Sequence, residues 1–267
     1  MTRTKITTAG LREMKAQRER ITTLTAYDHL FAQLLDEAGI DVILVGDSVG
    51  TVMQGRAATV SVTMDQMVYH TELVSRGCKR ALVVGDMPFL SYQVSVEDAM
   101  RNAGRLLKEG GAESVKLEGG VSMAPTVARL VDAGIPVMGH IGLTPQSIHQ
   151  FGSYKARGQD DAERKKILED ARALEQAGAF AIVVEKVPAA LGKEITELVS
   201  VPVIGIGAGP DCDGQVLVTH DMLGLFTRFR PRFVRRYAEL GRLIQSAVQS
   251  YAQDVRSGGF PGPDESY

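Results

Sequence analysis

Three acidic residues, Asp47, Asp86 and Glu118, lie at the ends of short β-branched segments of the sequence. Three carboxylates that converge within a few ångströms repel one another unless a cation lies between them. Oxygen ligands without cysteine or paired histidine donors favour a hard cation, Mg²⁺ before Mn²⁺. If the fold brings these three residues together, their types and spacing predict a divalent metal site.

Other polar residues end the same kind of segment. Lys116 lies two residues before Glu118, so both side chains point to one face of an extended strand. A buried ammonium needs a partner, and we expect Lys116 to face a carboxylate or a substrate oxyanion. His140, at the end of another segment, could hydrogen-bond a substrate or support a ligand.

A single acid at a strand end is ordinarily a helix N-cap or a solvated residue. The recurrence over consecutive segments, Glu185 included, favours a functional rim.

The elements that must position these residues form a repeating unit. Each unit has a helical stretch, a glycine stop, a short apolar run and then a polar or glycine residue. Such apolar runs are typical of parallel strands that are buried on both faces. The predicted strands are Thr22–Thr25, Val42–Val45, Ala81–Val84, Ser114–Leu117, Pro136–Met138, Ala181–Val184, Val203–Ile206 and Gln215–Val218.

The number of units decides between two α/β architectures. A doubly wound open sheet uses the same alternation of strand and helix, but eight units close a (β/α)8 TIM barrel, which needs roughly 250 residues. The chain has 267 residues, so we predict one barrel domain over residues 1–267. A helical N-terminal segment, 10–17, and a helical C-terminal tail, 233–255, remain to cap the barrel floor or contact another subunit. In such barrels the loops after the strands build the active site.

Composition excludes several classes of protein. With 44% hydrophobic and 23% charged residues the chain can bury a large core, which excludes intrinsic disorder. A net charge of -2 provides no basic surface for nucleic acid. No apolar run has the length of a membrane span or the form of a signal peptide. Cys78 and Cys212 make neither a disulfide framework nor a zinc pattern, and a cytoplasmic location is expected.

Short motifs in a fixed order carry a family resemblance. They are Thr25–Asp28, Val45–Gly50, Tyr69–Thr71, Val115–Gly120, Gly139–Ser147, Pro202–Gly209, Asp213–Val218 and His220–Asp221. Each string alone is a weak signal, but the set in this order is specific. The chain resembles the 3-methyl-2-oxobutanoate (ketopantoate) hydroxymethyltransferase family, whose barrel is of the phosphoenolpyruvate/pyruvate type.

The resemblance implies an activity and a role for each residue. Members transfer a one-carbon unit from 5,10-methylenetetrahydrofolate to 3-methyl-2-oxobutanoate through a Mg²⁺-stabilised enolate, and they assemble as homodecamers. The implied metal ligands are Asp47, Asp86 and Glu118. The implied oxo-acid contacts are Asp47, Ser48, Asp86 and Lys116; His140 is added as an expected contact because of its position at a strand end. The implied general base is Glu185.

Two alternative functions remain open at this stage. A magnesium-dependent carbon-carbon lyase or mutase of the phosphoenolpyruvate/pyruvate barrel type would use a similar ring of acids and an enolate. A non-catalytic oxo-acid-binding protein could keep the barrel without the chemistry. The strings Val115–Gly120 and Gly139–His140 disfavour the lyase, and the intact set of polar residues disfavours the non-catalytic protein.

Overall fold

The computed structural model describes residues 4–227 and 230–267 and contains a closed parallel barrel. Each strand pairs with the next, and β1 also pairs with β8, which closes the ring. The strands are β1 Ile21–Thr25, β2 Val42–Val45, β3 Leu82–Asp86, β4 Ser114–Glu118, β5 Val137–Gly142, β6 Ala181–Glu185, β7 Val203–Ile206 and β8 Gly214–Leu217. The predicted (β/α)8 barrel is confirmed.

The described residues also form eleven α-helices. They are α1 Thr8–Ala16, α2 His29–Glu37, α3 Val49–Val52, α4 Met64–Gly77, α5 Val96–Lys108, α6 Ala124–Asp132, α7 Ile148–Phe151, α8 Asp161–Gln176, α9 Ala189–Leu198, α10 Thr219–Met222 and α11 Leu240–Ser257. Single 3₁₀ turns cover Thr59–Ser61, Pro145–Ser147 and Pro263–Glu265. Helix α4 begins with a capping box, in which the side chains of Thr63 and Gln66 each accept the other's backbone N–H.

Several strands end later than the sequence predicts. Asp86, Glu118 and Glu185 are the last residues of their strands rather than the first residues of loops, and β5 extends to Gly142. Their backbone groups belong to the ladder of the barrel, which fixes their direction more firmly than a loop does.

The N-terminal helix α1 lies at the end of the barrel where the strands begin. Its Leu11 is fully buried and packs in the core with Ile21 and Ile204, which contributes about 1.5–3 kcal/mol. Lys15 Nζ donates hydrogen bonds to the carbonyl oxygens of Thr196, Val199 and Val201 at 3.1, 2.9 and 2.8 Å. The same ammonium pairs with Asp213 at 2.9 Å. The helix therefore caps the barrel floor.

We predict that Lys15→Met destabilises the protein, because several acceptors on the barrel floor lose their donor. The expected loss is about 1–3 kcal/mol of unfolding free energy, measured by urea denaturation. The matched control is Lys193→Met, since Lys193 forms only an exposed pair with Glu197 at 3.9 Å. That change is expected to cost about 0.5 kcal/mol or less. Equal effects of the two substitutions would contradict the role given to Lys15.

After Val218 the chain forms a second compact unit, Thr219–Tyr267. The expectation of one domain over the whole chain stays a prediction. The helical tail predicted from residue 233 is wrong in its first turns, because α11 begins only at Leu240. The N–H of Tyr237 donates instead to the Met222 carbonyl at 2.8 Å, which is incompatible with a helix there. Among the described helices, none combines the length and apolar character needed to cross a bilayer.

Candidate active site

The barrel register places the polar strand ends side by side. Asp86 on β3 is level with Lys116 on β4, and Glu118 on β4 is level with His140 on β5. These four side chains and Asp47, which follows β2, are 5% exposed or less. The sequence-based prediction that consecutive strands deliver charged groups to one rim therefore corresponds to a buried cluster, and such a cluster demands charge compensation.

Lys116 supplies part of that compensation. Its Nζ donates to Asp86 Oδ1 at 2.6 Å, so the ammonium faces a carboxylate as expected. Burial disfavours the charged form of Lys116, but the carboxylates of Asp86, Glu118 and Asp47 outweigh it and raise its pKa. Asp86 Oδ2 also accepts the backbone N–H of Asp47 at 3.2 Å. Lys116 is therefore a permanent cation inside the site.

The charged forms of the Asp47 and Asp86 carboxylates are destabilised by burial and by neighbouring negative charge. Burial, followed by the charges of Asp86 and Glu118, raises the pKa of Asp47 to about 7. Burial also raises the pKa of Asp86, although Lys116 opposes the shift. Lys116 therefore does not fully offset the effect of burial and of neighbouring negative charge on Asp47 and Asp86. A divalent cation bound between these carboxylates would favour their ionised forms.

His140 lies between two carboxylates. Its Nδ1 is 3.5 Å from Glu118 Oε1 and its Nε2 is 3.3 Å from Glu185 Oε2. Neither contact has the alignment of a hydrogen bond, so both are ionic contacts. Burial lowers the pKa of His140, but Glu118 and Glu185 outweigh burial and raise it to about 9. The ring of His140 therefore lies between the predicted metal ligand Glu118 and the predicted base Glu185, and both roles predicted for it stay predictions.

Glu185 is held at the backbone and is more open at its side chain. Its carbonyl oxygen accepts the N–H of Leu143 at 2.8 Å. Gly142 has φ 90°, and a Cβ at that position would collide with the same carbonyl. The side chain of Glu185 keeps 15% exposure, whereas that of Glu118 keeps 3%. Of the acids in the cluster, Glu185 is thus well placed to meet a molecule that enters the barrel mouth.

Ser48 and the loop after β5 complete the rim. Ser48 Oγ lies 2.8 Å from the hydroxyl of Tyr27.

The backbone carbonyl of Tyr154 accepts a hydrogen bond from Lys186 Nζ, and Arg157 N–H donates to the Lys186 carbonyl at 2.9 Å. Burial and the charge of Glu185 raise the pKa of Tyr154. The loop is therefore attached to the residue that follows the predicted base, and its tyrosine lies within electrostatic reach of that base.

Two buried residues of the cluster were missed by the sequence analysis. Gln146 hydrogen-bonds both Asp47 and Glu118, and the hydroxyl of Tyr92 contacts both Glu118 and Gln146. Gln146 lies inside a motif that carried the resemblance, but nothing in its spacing indicates a contact with β2 or β4. Tyr92 lies in the loop after β3, and no local pattern distinguishes it from an ordinary core aromatic residue.

The donor set suits a hard divalent cation in chemistry and in charge. Asp47, Asp86 and Glu118 offer only oxygen atoms, and burial together with neighbouring negative charge raises the pKa of Asp47 and of Asp86. Within residues 4–227 and 230–267, no group of three or more histidine, cysteine or acidic side chains has an arrangement ready to hold a metal ion. Lys116 Nζ engages Oδ1 of Asp86 and Gln146 Nε2 engages Oδ2 of Asp47, so a cation would bind through other oxygens of these carboxylates or after Lys116 turns away from Asp86.

The closed barrel with this rim defines an α/β-barrel enzyme, and solved structures share its architecture. 2,3-Dimethylmalate lyase, a phosphoenolpyruvate mutase/isocitrate lyase superfamily member, matches with a TM-score of 0.61 at 16% identity, over 97% of this chain and 90% of that chain. Phosphonopyruvate hydrolase in complex with oxalate and Mg²⁺ matches with a TM-score of 0.62 at 14% identity, over 97% and 92%. These likenesses establish the fold.

Sequence relatives establish the family. Residues 5–263 match ketopantoate hydroxymethyltransferase. The 3-methyl-2-oxobutanoate hydroxymethyltransferase of Chlorobium luteolum is 57% identical over 266 residues, which is 98% of this chain and 96% of that protein. The chain belongs to the ketopantoate hydroxymethyltransferase family, and the resemblance found in the sequence is confirmed.

Proposed function

We propose that the protein transfers a hydroxymethyl group from 5,10-methylenetetrahydrofolate to 3-methyl-2-oxobutanoate, giving 2-dehydropantoate for pantothenate biosynthesis. Family membership supports the reaction. The observation that carries the assignment of residues is the buried cluster of Asp47, Asp86 and Glu118 with Lys116, next to the more open Glu185. Such a cluster can bind a 2-oxo acid and can remove a proton from the carbon beside its ketone.

Binding of the oxo acid uses the fixed positive charge of the site. Lys116 is buried and protonated, so it attracts the substrate carboxylate, and Ser48 offers a hydroxyl at the same rim. Asp47, Asp86 and His140 complete the proposed contacts. The negative charges of Asp47, Asp86 and Glu118 are balanced by Lys116 and a divalent cation together. A monoanionic substrate can then enter without strong repulsion.

Asp47, Asp86 and Glu118 would hold Mg²⁺. When bound, this ion supplies Lewis-acid stabilisation of the negative charge that develops on the 2-oxo oxygen, worth several kcal/mol of barrier. The complex of phosphonopyruvate hydrolase with oxalate and Mg²⁺ supports a metal in a barrel of this fold. For the present chain, the support is the burial of Asp47 beside the charges of Asp86 and Glu118, which together raise its pKa.

Proton removal is assigned to Glu185. A hydrogen on the carbon beside a ketone is a very weak acid, so the base must act where the developing charge is stabilised. Glu185 takes the C3 proton, and His140, which is charged and adjacent, holds the carboxylate in place. The C3 carbon then forms a bond to the methylene carbon of the folate as the first of its two carbon-nitrogen bonds breaks. Water displaces the second nitrogen and supplies the hydroxyl group, and tetrahydrofolate leaves with the C3 proton and one proton of water on the two nitrogens.

A two-part assay tests the proposal. The first part follows exchange of the C3 proton of 3-methyl-2-oxobutanoate in D₂O by NMR, with and without Mg²⁺. The second part follows formation of 2-dehydropantoate with 5,10-methylenetetrahydrofolate. Exchange and product formation are expected, and both should depend on Mg²⁺. Turnover of a phosphonate or an isocitrate-like acid without folate would instead favour a lyase or mutase, and no turnover of any of these would favour a non-catalytic protein.

Binding of Mg²⁺ is expected to depend on pH. The proton on Asp47, whose pKa is about 7, must leave before the carboxylate binds a cation. Because this pKa is raised, protons compete below pH 7, and the affinity should fall about tenfold for each pH unit in that range and level off above it. Calorimetry in buffers of different ionisation enthalpy would count the released protons. An affinity that is constant from pH 6 to pH 8 would contradict this prediction.

The assembly and the compartment are also proposed from family resemblance. We expect a homo-oligomer, a decamer in the family pattern, located in the cytoplasm. Light scattering of the full chain after size-exclusion chromatography tests the subunit number.

A further inference from the structure

Gln146 connects two carboxylates that come from different strands. Its side-chain Nε2 donates to Asp47 Oδ2 at 2.9 Å and to the Met87 carbonyl oxygen at 3.0 Å. Its backbone N–H donates to Glu118 Oε2 at 3.0 Å. The side chain is only 3% exposed. One residue in the 3₁₀ turn after β5 therefore holds one oxygen of Asp47 and one oxygen of Glu118.

The opposite side of the amide is fixed as well. Gln146 Oε1 accepts a hydrogen bond from the hydroxyl of Tyr92 at 2.7 Å and one from Gln93 Nε2 at 3.3 Å. The Tyr92 hydroxyl in turn accepts the backbone N–H of Glu118 at 3.0 Å. Donors face the amide oxygen and acceptors face the amide nitrogen, so only one orientation of the side chain satisfies the network. A carboxylate at position 146 would lack the donors that this network uses.

Gln146 hydrogen-bonds one oxygen of each of these two carboxylates. Gln146 engages Oδ2 of Asp47 and Oε2 of Glu118. The other oxygen atoms are Oδ1 of Asp47 and Oε1 of Glu118, and Oε1 also lies 3.5 Å from His140 Nδ1. Carboxylates that must otherwise search several rotamers lose conformational entropy when they bind a cation. Side chains held by neighbouring hydrogen bonds have already lost most of that freedom, and loss of such support typically reduces metal affinity 10- to 100-fold.

We infer that Gln146, supported by Tyr92, is a positioning residue that orients Asp47 and Glu118 for a divalent cation. It acts through these carboxylates and takes no part in proton transfer. The inference rests on the proposed function, because it assumes that Asp47 and Glu118 are metal ligands. Gln146 then sets the Mg²⁺ concentration at which the enzyme is half-saturated, while the rate at saturating Mg²⁺ depends on other groups.

The test substitutes Gln146 with methionine, which has a similar length and no amide. Calorimetry with Mg²⁺, at a fixed concentration of 3-methyl-2-oxobutanoate, measures affinity, and C3-proton exchange in D₂O is measured against Mg²⁺ concentration. We expect affinity to fall about 10- to 100-fold. We also expect the exchange rate at saturating Mg²⁺ to stay within about threefold of the wild-type rate, since Glu185 is untouched. A role in folding alone would lower the melting temperature without shifting the Mg²⁺ requirement.

Two further variants make the result decisive. Thr71→Val removes a buried hydroxyl that bonds the Met67 carbonyl at 2.6 Å in α4, and it should leave the Mg²⁺ requirement unchanged. If Gln146→Met does not fold, Tyr92→Phe carries the test, because it releases the amide of Gln146 and should weaken Mg²⁺ binding less severely. Unchanged affinity in a folded Gln146→Met protein, or in Tyr92→Phe when the methionine variant is unfolded, would overturn the inference. Wild-type protein that neither binds Mg²⁺ nor exchanges the C3 proton would instead refute the proposed function.

Discussion

Glu185→Gln is expected to remove C3-proton exchange and to lower kcat about 10²- to 10⁴-fold, while affinity for 3-methyl-2-oxobutanoate stays within about twofold. The substitution keeps the size of the side chain but removes its basicity. Binding is preserved because Lys116 and the metal ligands are unchanged. NMR in D₂O measures exchange, and calorimetry measures substrate affinity in the same preparation.

A matched substitution separates this effect from general damage to the rim. Glu163 lies in α8 and pairs with Arg157, so Glu163→Gln also neutralises a carboxylate near the loop after β5. It should leave C3 exchange near the wild-type rate. If Glu185→Gln exchanges the C3 proton as fast as the wild type, Glu185 is not the base.

Asp86→Asn is expected to weaken Mg²⁺ and the oxo acid together, because it removes a ligand and also the partner of Lys116. The Nζ of Lys116 lies 2.6 Å from Asp86 Oδ1, and both side chains are nearly inaccessible. The released ammonium would turn toward Glu118 or Asp47, whose charges it also senses. We expect Mg²⁺ affinity to fall at least about 10- to 100-fold, with a parallel loss of substrate affinity in calorimetry.

Stability must be measured beside affinity in this experiment. Breaking a buried ion pair costs about 3–5 kcal/mol when one charge is left without compensation. The control is Asp41→Asn, which also interrupts a pair, Asp41 with Arg80 at 2.7 Å, away from the rim. It should lower stability and leave Mg²⁺ affinity unchanged. A folded Asp86→Asn protein with full affinity for Mg²⁺ and substrate would remove Asp86 from the metal site.

The sequence predicts the barrel and its charged rim because both depend on local spacing. Strand ends in a parallel barrel meet at one rim, so Asp86 and Glu118 could be placed together without a structure. The two-residue spacing of Lys116 and Glu118 likewise predicts their common direction.

The hydrogen-bond network of Gln146 could not be predicted in the same way. Gln146 lies 99 residues from Asp47 and 54 residues from Tyr92 in the chain. No local pattern records a contact over such a separation, because only closure of the ring brings β2, β4 and the turn after β5 together. The start of α11 was missed for a related reason, since the bond of the Tyr237 amide to Met222 replaces a helical bond.

The position of α1 at the barrel floor affects how the chain folds during its synthesis on the ribosome. Lys15 contacts carbonyls 181 to 186 residues further along the chain, and Asp213 immediately precedes the last strand. Helix α1 therefore cannot form these contacts until the ribosome has synthesised the chain as far as Asp213. Contacts over such a long sequence separation form slowly. Until they form, the apolar face of α1 is exposed on the nascent chain, where chaperone binding would protect it.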